Sequence, residues 1–115
     1  MSHWAILRTD VVVQDYEILD NAIKEMCKEH GFTYTRVGNV WRISGDFGVV
    51  ELGVKDGVLH IGGYDFSTYT FMEEYLNDVK KWYTAISFMK TLEELGYAVD
   101  VNVESGEVVI NAEAL

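Results

Sequence analysis

The chain has 115 residues, a length that favours one domain over two. Hydrophobic residues make up 49% of it and charged residues 24%, which is typical of folded rather than disordered proteins. Nineteen Asp and Glu against nine Lys and Arg give a formal net charge of -10. Direct binding to nucleic-acid phosphate needs a basic surface and is therefore not expected.

Cysteine usage and hydropathy exclude further classes. A single cysteine, Cys27, excludes an internal disulfide and a site built from several cysteines. No apolar stretch approaches the roughly 18 residues of a membrane span, and the start of the chain lacks the pattern of a signal peptide. We therefore expect one cytoplasmic domain over residues 1–115, with no membrane association.

A strand and a helix open the chain. The segment from His3 to Thr9 is rich in β-tolerant residues and predicts a strand of about 5–7 residues. Asp15 is a good N-cap, and Gly31 suits the left-handed position that ends a helix. Between them the apolar residues recur with the period of an amphipathic helix: Ile18, Leu19, Ala22, Ile23, Met26 and Cys27.

The middle of the chain, from Phe32 to Gly63, predicts a meander of four antiparallel strands. Gly38-Asn39 and Asp56-Gly57 match two-residue hairpin turns. The segment Gly45-Asp46-Phe47-Gly48 predicts a looser connection. Gly62-Gly63 interrupts the strand pattern before the next helix.

A long helix is predicted after this meander. Thr70 and Glu73 have the spacing of a capping box, so we expect the helix to begin there and to run to about Leu95. Its apolar stripe does not include Trp82 and Phe88. The helix is therefore expected either to bend or to bury more than one face.

A third hairpin closes the chain, with Val99, Val101 and Val103 on one face and a turn at Ser105-Gly106. The predicted order is β-α-β-β-β-β-α-β-β. Helices separated by runs of hairpin strands indicate an α+β fold. We expect an antiparallel sheet with two helices packed on one of its faces.

Several short motifs make the chain resemble an uncharacterised protein family. It is named after hypothetical chloroplast reading frame thirty-five, is also catalogued as domain of unknown function twelve fifty-seven, and has cyanobacterial, plastid, bacterial and phage members. In chain order the motifs are Met1-Ser2-His3 followed by the aromatic Trp4, Gly31-Phe32, Tyr83-Thr84-Ala85, Gly96-Tyr97-Ala98-Val99 and Glu104-Ser105-Gly106-Glu107. The family usually has basic or aromatic residues in its last strand, whereas this chain ends Asn111-Ala112-Glu113-Ala114-Leu115. The resemblance implies a small soluble accessory protein without an established activity.

The residues that could carry chemistry form no recognisable constellation. His3, His30 and His60 lie in separate predicted elements and lack metal-ligand spacing. Cys27 lies on the apolar stripe of the first helix and is expected to be buried. The glycine pairs match no nucleotide-binding loop, and adjacent carboxylates such as Glu93-Glu94 diverge on a helix. We therefore predict no catalytic, cofactor or metal site and no enzyme activity.

Exposed aromatic and acidic residues are the candidates for a partner surface. Protein interfaces are enriched in aromatic side chains, and no Lys or Arg follows Lys90 in the chain. The candidate partner-binding residues are Tyr69, Trp82, Phe88, Glu93, Glu94, Asp100, Glu104 and Glu107. A homo-oligomer is also compatible with this pattern.

Three functions stay open at this point. The leading hypothesis is a non-enzymatic accessory protein that docks on a larger protein through a sheet edge, the aromatic residues or the acidic end. The second is an acidic inhibitor that imitates nucleic acid, in the class that blocks restriction enzymes or CRISPR effectors by occupying a basic channel. The third is a small-ligand binder or an enzyme.

Overall fold

The computed structural model describes residues 3–115, so Met1 and Ser2 of the opening motif lie outside the described residues. The described chain is a single α+β domain with three helices, not the two predicted. Its elements in chain order are β1 (Trp4–Val12), α1 (Tyr16–His30), β2 (Thr33–Val37), β3 (Val40–Gly45), β4 (Gly48–Lys55), β5 (Val58–Tyr64), α2 (Asp65–Glu74), α3 (Leu76–Glu94), β6 (Tyr97–Glu104) and β7 (Glu107–Ala114).

The strands form two antiparallel sheets. Five of them pair in the order β1-β5-β4-β3-β2, which confirms the predicted meander and adds β1 beside β5. The other two, β6 and β7, pair only with each other and pack on α3. The expectation of a single sheet is therefore wrong, because the last hairpin folds back along α3 and does not reach an edge of the main sheet.

The boundaries of α1 are those that the sequence predicts. An Asp15 carboxylate oxygen accepts the backbone N–H groups of Glu17 at 2.9 Å and Ile18 at 3.1 Å. Gly31 ends the helix with a φ of 75° and donates its N–H to the Cys27 carbonyl. The buried side chains of α1 are the predicted apolar stripe: Ile18, Leu19, Ala22, Ile23, Met26 and Cys27.

The predicted second helix is two helices. Helix α2 begins at Asp65, so Thr70 lies inside it and the predicted capping box at Thr70 is wrong. The break lies at Tyr75, whose backbone angles are φ -122° and ψ -21°. The Tyr75 ring packs against Phe47 and Phe71 in the core. Burial of this ring, which the sequence pattern does not encode, separates α2 from α3.

Tight turns connect the strands of both sheets. Gly45 pairs with Gly48, so the connection at this point is a two-residue turn and not the looser one predicted. Phe47 in that turn is buried against the core, which holds the turn in place. The turn Ser105-Gly106 has positive φ at both residues, the geometry of a type I′ hairpin.

The main sheet has one buried and one open face. Its buried side chains, among them Trp41, Ile43, Leu52 and Ile61, join those of α1 and α3 in one hydrophobic cluster. Alternate residues point the other way, and no helix of residues 3–115 covers them. We call this second surface the open sheet face; it carries Trp4, Ile6, Arg8, Val40, Arg42, Glu51, Lys55 and His60.

Candidate functional site

The predicted aromatic residues do not share one surface. Tyr69 on α2 and Phe88 on α3 are exposed, with 52% and 54% of their surface accessible. Trp82 is buried, and its indole N–H donates to a Glu29 carboxylate oxygen at 3.1 Å. Including Trp82 in a partner surface is therefore wrong, because its ring fills the space between α1 and α3.

The acidic residues of the last hairpin lie on one face. In an antiparallel pair alternate residues point to opposite faces, and here Val101 and Val108 point to the core side. The alternate residues of both strands point outward. Four of them are carboxylates, Asp100, Glu104, Glu107 and Glu113, and we call this surface the acidic face. Glu93 and Glu94 are exposed at the end of α3, outside this face.

A groove of about 680 Å³ runs between α3 and β7. We call it the α3–β7 groove. Phe88 and Glu107 both line it, so the structure brings together one aromatic and one acidic residue of the predicted set. The remaining lining residues are Asn77, Lys80, Lys81, Thr84, Ala85, Val108 and Ile110. Asn77, Lys81, Thr84 and Phe88 follow the spacing of one helix face, so α3 presents a continuous exposed stripe here.

Strand β7 presents a free edge along this groove. Its register with β6 is unbroken from Glu107 to Ala114. Glu104 and Glu107 close a two-residue turn, and residues in that position exchange both backbone hydrogen bonds. Hydrogen-bonded and non-hydrogen-bonded pairs alternate from there, so the backbone N–H and C=O groups of Val108, Ile110 and Ala112 point away from β6. No other strand of residues 3–115 pairs with them.

The edges of the main sheet are less suited to strand addition. At one edge β2 has only five residues, and at the other β1 has a register shift between Arg8 and Val12. Strand β7 has eight residues, and between Glu107 and Glu113 it carries no charge, proline or bulge. Proteins normally protect such edges by one of those means. Strand β6 has the same length but carries Asp100 in its middle, so among the described strands β7 has the longest regular free edge without an internal charge.

Groups that could act as nucleophile or base lie elsewhere and have structural partners. Burial raises the pKa of the Cys27 thiol to about 11, so it stays protonated and unreactive at neutral pH. His30 Nε2 lies 2.7 Å from an Asp78 oxygen, and its ring packs against Phe32 and Tyr75. Within residues 3–115 no three His, Cys, Asp or Glu side chains come together as a metal site would require.

The sequence patterns did not identify the apolar residues of this groove as part of a binding surface. Val108, Ile110 and Ala85 read as ordinary core positions, because alternation and helical periodicity do not show which edge or face lacks a neighbour. One signal was present, since a hairpin that follows the last helix can have an edge with no further strand to cover it.

Comparison of the chain with known protein families, with curated proteins and with solved structures found no match. Within residues 3–115, no helix combines the length and the apolar character that crossing a bilayer requires.

Proposed function

We propose that the protein is a cytoplasmic, non-enzymatic accessory protein that docks on a larger protein by accepting one of its strands at the β7 edge. The observation that carries this proposal is the free edge of β7 beside the apolar α3–β7 groove. In strand addition, backbone hydrogen bonds supply affinity and pockets for alternate side chains supply specificity. The proposed accessory role agrees with what the family resemblance implies.

The two faces of the β6–β7 hairpin define the chemistry of the incoming strand. Side chains on its inner face would contact Phe88 and Ala85, so they would be apolar. Side chains on its outer face would lie beside Glu107 and Glu113 of the acidic face, so they would be lysine or arginine. The partner segment is therefore extended and alternates apolar with basic residues.

A second copy of the chain fits this edge less well. Pairing of two β7 strands about a two-fold axis would bring two acidic faces into one sheet. Each copy also carries a formal net charge of -10. Like charges at neighbouring positions of a sheet are destabilising, so charge favours a basic partner over self-association.

The test is a pull-down with matched variants from cells in which the protein occurs naturally. Ala112→Pro removes an N–H that points to the free edge and leaves the ladder with β6 intact. Ala112→Ser keeps that N–H. Phe88→Ala shortens the groove wall, and Phe66→Ala removes an even more exposed ring on α2, outside the groove.

We expect the wild type, Ala112→Ser and Phe66→Ala to capture the same stoichiometric protein, identified by mass spectrometry. Ala112→Pro and Phe88→Ala should lose it while keeping the wild-type circular dichroism spectrum. A partner that binds all five forms equally would contradict docking at β7.

The acidic face supports a second candidate function, inhibition of a nucleic-acid enzyme by mimicry. Alternate residues along a strand lie roughly 6.6–6.8 Å apart, which is close to the spacing of successive phosphates in one nucleic-acid strand. Asp100 and Glu104 lie on the outward face four residues apart, with Asn102 between them, so they would match every second phosphate of such a strand. The variant Asp100→Asn/Glu104→Gln separates the two functions, because mimicry requires these β6 carboxylates, whereas strand addition requires the N–H of Ala112 and the carboxylates of β7. Capture that fails at about 0.5 M salt but survives Ala112→Pro would favour mimicry.

A further inference from the structure

The open sheet face contains a second groove, on a different surface from the α3–β7 groove. It measures about 500 Å³, a volume within the range of small-molecule sites. Gly53 of β4 lies at its floor, and because glycine has no side chain the sheet is open at this position. Its walls come from four strands and one turn: Ile6, Arg8, Asn39, Val40, Lys55 and His60.

Strand register brings three basic side chains to this floor. Gly53 pairs with His60, and His60 pairs with Arg8, so these positions form one row across β4, β5 and β1. Lys55 lies two residues beyond Gly53 on the same face. Directly opposed Cβ atoms such as those of Arg8 and His60 are about 4.5–5.5 Å apart, and diagonal ones such as those of His60 and Lys55 about 7–8 Å. Arg8 and Lys55 thus flank His60 from two sides, and all three side chains line the same groove.

Arg8 and Lys55 have no carboxylate partner among residues 3–115. Among residues 3–115 the ion pairs within 4.0 Å engage His30, Arg36, Lys80 and Lys90, and none involves Arg8 or Lys55. The groove lining contains no Asp or Glu, although acidic residues outnumber Lys and Arg by nineteen to nine in the whole chain. Arg8 and Lys55 therefore line this groove without a carboxylate partner, and a bound anion would supply the missing counter-charge.

The orientation of His60 leaves one ring nitrogen for a ligand. Its Nδ1 lies 3.0 Å from the Val58 carbonyl oxygen. A carbonyl oxygen only accepts, so Nδ1 carries a hydrogen and donates it. Nε2 is then the nitrogen that remains, and in the imidazolium form it donates a hydrogen bond to an anion.

We propose that this groove binds a small organic phosphate monoester. A dianionic group matches the guanidinium fork of Arg8 and the point charge of Lys55 better than a single carboxylate does. Ile6 and Val40 offer apolar contact to the organic part of such a ligand. The acidic face lies on the helical side of the domain, whereas this groove lies on the open sheet face. Because charges are screened beyond roughly 8 Å at physiological ionic strength, the acidic face does not prevent an anion from binding in the groove.

The test is an NMR titration of the ¹⁵N-labelled protein with phenyl phosphate at constant ionic strength. Inorganic phosphate serves as the probe without an apolar part, and phenol as the probe without a phosphate. We expect saturable shifts at the amides of Gly53, Lys55 and His60, with a millimolar dissociation constant for phosphate and tighter binding of phenyl phosphate.

Three variants make the result specific to the groove. Lys55→Gln should weaken phenyl phosphate binding about tenfold. Arg42→Gln, on the same face but outside the groove lining, should bind like the wild type. Gly53→Val places a side chain on the floor, at a position where an added Cβ meets no atom nearer than 4.0 Å, and it should abolish binding while the protein keeps the wild-type circular dichroism spectrum. Equal weakening by Lys55→Gln and Arg42→Gln, equal binding of phenol, or no saturable shift would overturn the proposal.

Discussion

The Tyr75 hydroxyl lies 3.0 Å from both carboxylate oxygens of Asp46 and donates its hydrogen to this carboxylate. The bond joins the break between α2 and α3 to the turn between β3 and β4. Through Tyr75 the helical layer is therefore bonded to one end of the main sheet, in addition to the core contacts of α3.

Removal of this hydroxyl gives the first prediction. Tyr75→Phe should lower the free energy of unfolding at pH 7 by about 1 kcal/mol, the usual net value of one hydrogen bond. Urea unfolding followed by circular dichroism measures it. Tyr69→Phe, at an exposed site on α2, is the matched control and should leave stability unchanged within experimental error.

The same bond makes stability depend on alkaline pH. Burial, followed by the hydrogen bond to Asp46, raises the pKa of Tyr75 to about 12 from an ordinary value of 10.0. A raised pKa means that Tyr75 stabilises the fold fully below pH 10, and that this contribution is lost as the pH rises towards about 12. The stability advantage of the wild type over Tyr75→Phe should therefore shrink between these values. An advantage that stays constant to pH 12 would contradict this assignment.

The N-cap of α1 gives a prediction at acidic pH. Lys90 Nζ lies 3.0 Å from an Asp15 oxygen, and the hydrogen bond to Lys90 lowers the pKa of Asp15 below 3.8. A lowered pKa means that this contribution is present above pH 3.8 and is lost as the pH falls through the lower folded value.

Two variants at Asp15 separate the cap from the ion pair. Asp15→Ala should cost about 1 kcal/mol because the N–H groups of Glu17 and Ile18 lose their acceptor. Asp15→Asn retains an acceptor oxygen and should cost less. Urea unfolding from pH 7 to pH 3 should show the wild type converging on Asp15→Asn at the acidic end. A gap that widens instead would reject the Lys90 contribution.

Two glycines of the main sheet should respond differently to alanine. A Cβ at Gly45 would lie 2.7 Å from the Phe32 ring and 2.8 Å from the Phe47 ring. These rings contact each other edge to face, so they cannot move aside independently, and Gly45→Ala should cost about 1–3 kcal/mol. Gly53→Ala meets open space and should leave the melting temperature unchanged or raise it. Equal melting temperatures for both variants would show that the aromatic cluster adapts.

The reactivity of Cys27 should report on global unfolding. Its thiol lies on the buried side of α1, and that burial raises the pKa of the thiol to about 11. A thiol-specific colorimetric reagent should therefore react slowly with the native protein and completely in denaturant. The native rate should rise in destabilised variants such as Gly45→Ala. Rapid reaction of the stable native protein would place the thiol at the surface.

Local patterns predict those elements whose causes are local. Helix α1 follows from its stripe and from Asp15 and Gly31, and the hairpin turns follow from Gly38, Gly57 and Gly106, which all have positive φ. The division of the second helix does not follow, because Tyr75 is turned inward by Asp46 and by rings far away in sequence. For the same reason, the sequence predicted some residues of the candidate site but not the strand edge that completes it. Phe88 and Glu107 stand out as exposed types, whereas the free edge of β7 depends on where the hairpin packs.

The packing of the last hairpin mainly on α3, apart from the main sheet, has a consequence for local opening. A terminal unit that few buried side chains hold in place opens with a smaller free energy than the whole domain. Amides that bond between β6 and β7 should therefore exchange with solvent through local opening of the hairpin, and amides of β4 and β5 only through global unfolding. The N–H of Ile110 points to the free β7 edge and should exchange fast until an added strand supplies an acceptor for it. Slowed exchange at Ile110 would then report occupancy of the edge before the occupant is identified.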